Sequence, residues 1–515
     1  MRKTVLLSII LILFNSVFMA ETEEKRELTL QDAIFHALKN NLDLQIELTN
    51  TESSRLSKVI RDTSFIPSLT IDLGKSETNS PSTGVLSGAD ISKNENMNLD
   101  LKLTQKYALG GTLNVELSNR RSESNSFFTS INPSLRSVLT FSVNQPLLKG
   151  FGTFATKKDI LISINDYIKS KYQLKKSIID LVYNVEDYYW NLVYRHQNLE
   201  ATKKALEKSR KLLKQNELKV KVGIAAPIDI LEAKAEVASY ESQLIQAEQN
   251  VQSAEDNLRK ILNLTSRSER IVPLDKPEIK KIETDFNKFL LEALNNRPDI
   301  RRAKLDLKNN NIRVKYAKNQ LLPDLQLTAS YYTTGQGGDQ LIYGPGSIFA
   351  PREVIGVVKK DMWKTLNDAV ANIYKNYSIS LSLNLPLSFK KERAELAQAR
   401  LNMKSSYLSL KKVESDIYSE VKEVIKELET NLKLADSNKI SLRLEEMKLK
   451  AEEKKLSVGL STNYQVLNYQ RDFMNAQTNK LKSIIDYKLS IAKINKALAR
   501  TFESYNIKFS EIGSK

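Results

Sequence analysis

The sequence predicts a mostly α-helical fold with a smaller, membrane-exposed β part, duplicated within one chain. Two very long segments lack glycine and proline and carry an apolar heptad repeat. Several short segments alternate between apolar and polar residues, and the order of long, short and alternating segments occurs twice. Heptads are typical of coiled-coil helices, and strict alternation is typical of β-strands.

The first long segment, residues 153–222, is predicted to be one uninterrupted helix. At about 1.5 Å per residue it is roughly 100 Å long, so it must lie along a partner for most of its length. Its apolar residues recur at every seventh position, namely Ile178, Val185, Leu192, Leu199, Leu206, Leu213 and Val220.

The second long segment, residues 387–458, continues the same register. Its heptad residues each lie 236 positions after one in the first segment: Val421, Leu428, Ala435, Leu442, Leu449 and Leu456. A register kept over this distance indicates an internal duplication. Each copy also has two shorter predicted helices, at 28–65 and 228–264 and at about 287–323 and 463–502. Stacked end to end, the two short helices match the long one, which predicts a half-barrel of coiled helices.

The alternating segments predict strands around residues 69–73, 99–103, 113–117, 139–143, 325–331 and 377–385. The polar segments 76–96 and 119–136, and the glycine-rich segment 335–346, are predicted to be loops.

The polar residues of these strands are mostly serine, threonine and asparagine, which suits a barrel with lipid outside and water inside. A soluble antiparallel sheet would give the same alternation, but the sequence offers no apolar helix to cover one. Four to six strands are too few to close a barrel, and open edges are not tolerated in hydrocarbon. Several chains must therefore pool their strands.

Residues 1–20 have the pattern of a secretory signal peptide, with Arg2, Lys3 and an apolar run before Ala20. The absence of cysteine excludes a disulfide framework, a thiolate metal site and a lipid-anchored N-terminus. No apolar run of about twenty residues occurs, so no inner-membrane helix is expected. The formal charge of +17 could suggest a nucleic-acid partner. Because lysine and glutamate interleave along the long helices, solvated helical faces are the preferred interpretation and no nucleic acid is expected.

No catalytic or cofactor site is predicted. The only histidines, His36 and His196, each lie in a helical pattern without a second metal ligand or a nucleophile nearby. A phosphate-binding loop is also missing. We therefore expect neither an enzyme nor a bound cofactor or metal.

Matching glycine turns follow the two long helices. The first is VGIAAPIDILEA at residues 222–233 and the second is VGLSTNYQVLN at residues 458–468; the strand-to-helix junctions read QPLLKG at 145–150 and PL at 386–387. With these motifs the chain resembles the TolC-type outer membrane efflux protein family over essentially its whole mature length.

The resemblance implies an outer-membrane channel that works with a periplasmic adaptor and an inner-membrane transporter to export small molecules or proteins. It implies a homotrimer whose duplicated α-barrel is continuous with a transmembrane β-barrel in the lipid of the outer membrane, with four membrane-crossing strands from each chain. The two turns would form the periplasmic tip and contact the adaptor through Val222, Gly223, Ile224, Val458, Gly459 and Leu460.

The family often narrows its pore with acidic side chains six and nine residues after the second glycine. Here these positions are Gln465 and Asn468, whereas the first copy has Asp229. Ser461 and Leu456 stand where some relatives have the arginine and tyrosine that latch the closed state. The resemblance thus places a pore constriction at Asp229, Ser461, Gln465 and Asn468, with weak cation selectivity.

The expected organisation follows from these boundaries. After the signal peptide, first-repeat helices span 21–66 and 147–264 around strands and loops at 67–146, and a connector covers 265–286. Second-repeat helices span 287–323 and 387–502 around strands and loops at 324–386, and 503–515 form a flexible tail. The main alternative is a soluble periplasmic coiled-coil structural or adaptor protein. The sequence does not name the exported substrate.

Overall fold

The computed structural model describes residues 25–81, 90–126, 129–224, 226–264, 269–346 and 353–508. The predicted signal peptide lies outside these residues. The chain forms two compact units. One, here the helical unit, comprises Met1–Thr51, Ser170–Ala303 and Leu410–Lys515; the other, here the sheet unit, comprises Glu52–Lys169 and Lys304–Ser409. No helix within the described residues is both long and apolar enough to cross a membrane.

The first repeat contains five strands and five α-helices if the short strand before it is included. In chain order these are β1 (Lys25–Leu28), α1 (Leu30–Asn40), α2 (Leu42–Asp62), β2 (Ser68–Pro81), β3 (Ile91–Lys106), β4 (Thr112–Ser124), β5 (Ile131–Pro146), α3 (Thr153–Thr156), α4 (Lys158–Lys221) and α5 (Pro227–Leu262).

The connector and the second repeat follow the same plan with fewer strands. Their elements are β6 (Arg270–Pro273), α6 (Phe286–Asn296), α7 (Pro298–Asn319), β7 (Asp324–Tyr343), β8 (Val354–Lys360), α8 (Met362–Val370), β9 (Tyr374–Asn384), α9 (Lys390–Ser457), α10 (Asn463–Ala497) and α11 (Thr501–Ser504).

Most heptad residues of the long helices are buried in the helical unit, and those nearest the turns, such as Leu213 and Val220, are half-buried. Ile178, Val185 and Leu192 have no exposed surface, and Val421 is equally buried in the second copy. The first long helix is not uninterrupted as predicted, because Lys157, with φ −92° and ψ 7°, separates α3 from α4. The 64 residues of α4 still give a length of roughly 96 Å.

The predicted short helix at 28–65 is broken at Asn41, and the corresponding helix of the second repeat is broken at Arg297. Both residues have extended backbone dihedrals. Asn41 accepts a hydrogen bond from the Leu44 amide and donates one to the Ile261 carbonyl, so the break is fixed by side-chain bonds. Asn41 and Arg297 are 256 residues apart, as are Pro67 and Pro323, which follow the same two helical segments, so the break is part of the duplicated plan.

Two segments predicted to be irregular are ordered in the helical unit. In the connector, β6 pairs in parallel with β1. The prediction of a flexible tail from residue 503 is wrong for residues 503–508. Ile507 is buried in the core and Tyr505 packs against it, because these apolar side chains find a site beside α4.

The sheet unit contains one antiparallel sheet. Its order is β2-β3-β4-β5-β7, and the far edge of β7 pairs with β9 along residues 324–334 and with β8 along 338–343. β8 and β9 lie one after the other along that edge and together take one position in the sheet. The seven strands therefore occupy six side-by-side positions, here called columns. The resemblance implies four membrane-crossing strands per chain, and the sheet itself has six columns.

The predicted loops at 76–96, 119–136 and 335–346 are largely strand. β2 and β3 remain paired out to Pro81 and Ile91, and Gly335 to Gly338 remain paired with β5. Polar composition misled the prediction, since backbone amides pair whether or not the side chains are apolar. The second-repeat segment also contains α8, which packs on β5 and β7 and was not predicted.

Candidate functional site

The first glycine turn ends α4 with two hydrogen bonds of a Schellman motif. The Ile224 amide donates to the Lys219 carbonyl over 2.9 Å, and the Gly223 amide donates to the Val220 carbonyl over 3.0 Å. Gly223 has φ +78°, a left-handed conformation that only glycine adopts without strain. A glycine is thus required where the chain reverses between α4 and α5.

The second glycine turn reproduces the first at an offset of 236. The Leu460 amide donates to the Lys455 carbonyl over 2.9 Å, and the Gly459 amide donates to the Leu456 carbonyl over 3.3 Å. Gly459 also has φ +78°. The duplication therefore extends to individual hydrogen bonds.

Both turns expose the apolar side chains for which the family resemblance implies adaptor contact. Val222 and Ile224 are 68% and 74% exposed, and Val458 and Leu460 are 64% and 78% exposed. The two turns belong to the same unit, and an ion pair joins their hairpins where Arg471 Nε of α10 lies 3.2 Å from Glu236 Oε2 of α5. Four exposed aliphatic side chains on the described turns form a surface suited to a protein partner.

The helices that follow the turns are capped differently. In the first repeat, the Asp229 carboxylate accepts a hydrogen bond from the Ala226 amide at 3.2 Å. In the second, the Thr462 hydroxyl oxygen accepts one from the Gln465 amide at 3.3 Å. Asp229 and Gln465 are equivalent positions, because they lie 236 residues apart. The Asp229 side chain caps its helix, whereas the Gln465 side chain is exposed and takes no part in the cap.

Ser461 is held inside its own hairpin. Its hydroxyl donates to Glu452 Oε1 over 2.6 Å, and Lys455 Nζ lies 3.2 Å from Glu452 Oε2. The hydrogen bond from Ser461, together with Lys455, lowers the pKa of Glu452. Asn468 is half-buried on α10. The structure thus places all four candidate pore residues within or just after the turns.

Sequence reasoning missed the polar residues that tie each hairpin together. Asn216, fully buried, donates to the Asp229 carbonyl at 3.3 Å, and Glu452 occupies the equivalent position in the second repeat. Each lies seven residues before its glycine. A polar residue inside an apolar heptad seam was the signal that could have revealed both.

The second candidate surface is the sheet, whose two faces differ. In register, one face carries Leu69, Leu103, Val115, Phe141, Tyr331 and Tyr377, and the next row carries Ile71, Leu101, Leu117 and Leu139. The opposite face carries Thr70, Lys102, Glu116, Thr140, Tyr332 and Asn376 in one such row. Many of the apolar side chains on this face are exposed and the others are half-buried; Ile379 is 71% exposed and Leu383 60%. An apolar face of this kind, which α8 covers in part over β5 and β7, is suited to lipid where it is uncovered.

The described residues contain no group of three or more His, Cys, Asp and Glu side chains that could hold a metal ion.

Duplicated helical hairpins with glycine turns, joined to an amphipathic antiparallel sheet, define the class of outer-membrane channels that extend into the periplasm.

Comparison with known proteins agrees with this class. The sequence profile described as outer membrane efflux protein matches residues 33–264 and 290–500, and the chain belongs to that family. It is thus an efflux channel of the outer membrane that extends into the periplasm and works with pumps. It is not an enzyme, and the soluble periplasmic alternative is not favoured. No curated protein is significantly similar in sequence.

Solved structures share the fold. The CmeC outer membrane channel of Campylobacter jejuni is 16% identical with a TM-score of 0.63, covering 96% of this chain and 95% of that chain. The MtrE outer membrane channel of Neisseria gonorrhoeae is 18% identical with a TM-score of 0.62, covering 91% and 88%. A membrane protein of Pseudomonas aeruginosa is 15% identical with a TM-score of 0.66, covering 91% and 90%.

Proposed function

We propose that three copies of this chain pool their sheets into one β-barrel, continuous with a tunnel built from the long helices. The observation that carries this is the amphipathic sheet with unpaired edges at β2 and β9 among the described strands. Open edges are costly in hydrocarbon, so each edge needs a partner strand from another copy. Trimers are the general state of channels in this family.

Strand direction supports closure by this route. The six columns of the sheet alternate in direction, so β9 runs antiparallel to β2. Pairing β9 of one copy with β2 of the next therefore continues the antiparallel pattern, and three copies give eighteen columns. Outer-membrane barrels commonly contain an even number of antiparallel strands, from 8 to 26 or more.

The glycine turns are proposed as the periplasmic tip that contacts the adaptor of an inner-membrane transporter. The support is the set of four exposed aliphatic side chains at two equivalent turns. A polar constriction just beyond the turns, at Asp229, Ser461, Gln465 and Asn468, is proposed as the pore entrance. The exported substrate is selected by the transporter in this scheme.

Assembly and docking can be tested separately. The double variant Ile224→Glu with Leu460→Glu is expected to remain a detergent-resistant trimer in the outer membrane but to lose both adaptor copurification and export. The matched control, Ile224→Leu with Leu460→Ile, keeps the apolar surface and should retain both. A monomeric wild-type protein absent from the outer membrane would contradict the channel assembly. Full adaptor binding by the glutamate variant would contradict only the tip assignment.

A further inference from the structure

Helix α8 is fixed to the apolar face of the sheet by close backbone packing. A Cβ atom on Gly335 would lie 1.9 Å from the Thr365 carbonyl oxygen, and one on Gly337 would lie 2.0 Å from Thr365 Oγ1. The Thr333 hydroxyl donates to the Ala369 carbonyl, and Thr365 has no exposed surface. Glycines at these two positions let the helix sit directly on β7, so α8 is an integral part of this face.

The sides of α8 differ in chemistry. Thr365 and Ala369 face the sheet, and Met362 and Leu366 lie beside it at the edge of a cleft. Because successive residues of an α-helix turn by about 100°, Trp363 and Val370 come next around the helix on the same side. Trp363 is 77% exposed. The side of α8 that adjoins the cleft is therefore apolar both where it lines the cleft and where it is exposed.

The cleft has a volume of about 600 Å³ and lies between α8 and strands β2 to β4. Its apolar lining is Leu73, Met97, Leu99, Met362 and Leu366. Asn119, Lys75 and Arg121 also line it. The register places the strand residues on the apolar face of the sheet, so the cleft is continuous with that face.

A charged belt begins at the far end of the cleft. On the same face, Lys75 Nζ lies 2.9 Å from Glu95, Arg121 lies 2.5 Å from Glu123, and Lys93 Nζ lies 2.9 Å from Glu77. Leucines thus give way to ion pairs within a few residues along β2, β3 and β4. Such a change marks the level at which hydrocarbon ends and headgroups begin, and exposed tryptophan is typical of that level.

We propose that the cleft beside α8 binds one acyl chain of a membrane lipid. The chain lies against Leu73, Leu99 and Leu366, and the headgroup lies at the level of Lys75 and Arg121 with Trp363 beside it. This inference rests on the proposed function in one respect, namely that the apolar face meets lipid. A cleft of this size and lining suits an apolar ligand.

Retained lipid is the direct test. The wild-type full chain, purified in detergent from outer membranes, is expected to keep lipid that lipid extraction and mass spectrometry detect. Leu99→Trp fills the cleft and should reduce lipid retained per chain about tenfold, which corresponds to about 1.4 kcal/mol of lost binding free energy. Leu103→Trp is the matched control, on the same strand and face but outside the cleft lining, and should leave retention unchanged. Equal retention in both variants, or none in the wild type, overturns the proposal.

A second measurement needs no change in the cleft. The chain has two tryptophans, and Trp190 is buried in the helical unit. In a Trp190→Phe variant reconstituted into vesicles of brominated phosphatidylcholine, Trp363 fluorescence should be quenched, most strongly by bromine near the headgroup. Unquenched Trp363 in a correctly inserted trimer would mean that water or a second copy covers α8, which overturns the proposal. Failure of the wild type to insert or to trimerise would instead contradict the proposed channel assembly.

Discussion

Ser461 and Glu452 join the two ends of the second glycine turn through a 2.6 Å hydrogen bond from the serine hydroxyl to the glutamate carboxylate. The bond spans nine residues of chain and closes the hairpin between α9 and α10. Asn216 serves the first hairpin from the equivalent position by bonding to the Asp229 carbonyl. Each tip is thus closed by its own polar contact inside an otherwise apolar seam.

Replacing Ser461 with alanine is expected to loosen the second turn alone. The Glu452 carboxylate would lose its nearest donor, so its pKa should rise, and amides of residues 458–464 should exchange with solvent faster. Hydrogen-deuterium exchange with mass spectrometry measures this. Ser457→Ala is the matched control, because the Ser457 hydroxyl donates to the Lys454 carbonyl one turn earlier and so stays within its own helix. Unchanged exchange in Ser461→Ala would show that the bond does not restrain the turn.

Low pH should loosen the same turn in the wild type. Since the folded-state pKa of Glu452 is lowered, its contribution is present above the ordinary glutamate pKa and is lost as the pH falls through the depressed value. The exchange difference between wild type and Ser461→Ala should therefore shrink in acid. A difference that grows as the pH falls would contradict this mechanism.

Glu186 provides a pH effect of opposite sign. Burial raises its pKa to about 7, although Tyr505 donates a hydrogen bond to it. Its stabilising contribution is thus present below the unfolded-state pKa near 4.5 and is lost as the pH rises through about 7. Glu186→Gln is expected to stabilise the protein by about 3 kcal/mol above pH 7 and by little near pH 4.5.

Thermal unfolding of the detergent-solubilised protein at the two pH values tests the Glu186 prediction. Glu200→Gln, an exposed position on the same helix, is the control and should not stabilise the protein comparably. If Glu186→Gln destabilises the protein at high pH, the carboxylate has a charged partner that burial alone does not account for.

The two turn glycines should tolerate asparagine better than alanine. No atom lies within 4 Å of a Cβ built on Gly223 or Gly459, so the effect of substitution is confined to the backbone at φ +78°. Alanine should cost about 1 kcal/mol at each turn, whereas asparagine, which enters the left-handed region more readily, should cost less. Apparent melting temperatures rank the variants, and equal losses for both residues would contradict backbone strain as the cause.

The amides at the proposed pore entrance predict weak cation selectivity. Gln465→Glu would place three carboxylates at that level of a trimer and should increase cation preference, measured as reversal potential in planar bilayers under a salt gradient. Gln246→Glu, well along α5 from the turn, should leave it unchanged. Strong cation preference in the wild type, abolished only by changing Gln465 or Asn468, would count against this prediction.

The helical part of the fold was largely predictable because the heptad repeat of apolar residues extends over long segments of the sequence. Heptad residues such as Val185 and Val421 recur over many turns, and the spacing between them revealed the duplication. The helix break at Asn41 could not be predicted from the spacing of apolar residues. It depends on hydrogen bonds to Leu44 and Ile261 that exist only after folding. Ile507 was missed for a related reason, since one apolar residue near a terminus carries no periodic pattern.

The sheet was predicted less well than the helices. Alternation predicts strands only where one face is apolar, so it predicts loops at the charged ends of β2 and β3, although Lys75 and Glu95 pair across them. Helix α8 has nine residues, too few for a helical period to stand out from its neighbours. At the turns, sequence located the glycines and exposed residues, but not the Asn216 and Glu452 contacts that depend on tertiary packing.

The unlike caps at Ala226 and Thr462 mean that the duplicated hairpins are chemically distinguishable at their ends. A ring of three chains would present six hairpin ends that alternate between a carboxylate-capped and a hydroxyl-capped kind. A binding protein that distinguishes the two kinds of hairpin would have three binding sites on such a ring. One that contacts only the aliphatic side chains shared by both turns would have six. In the proposed trimer, the number of partner chains bound would therefore depend on whether they distinguish the Asp229-capped hairpin from the Thr462-capped one.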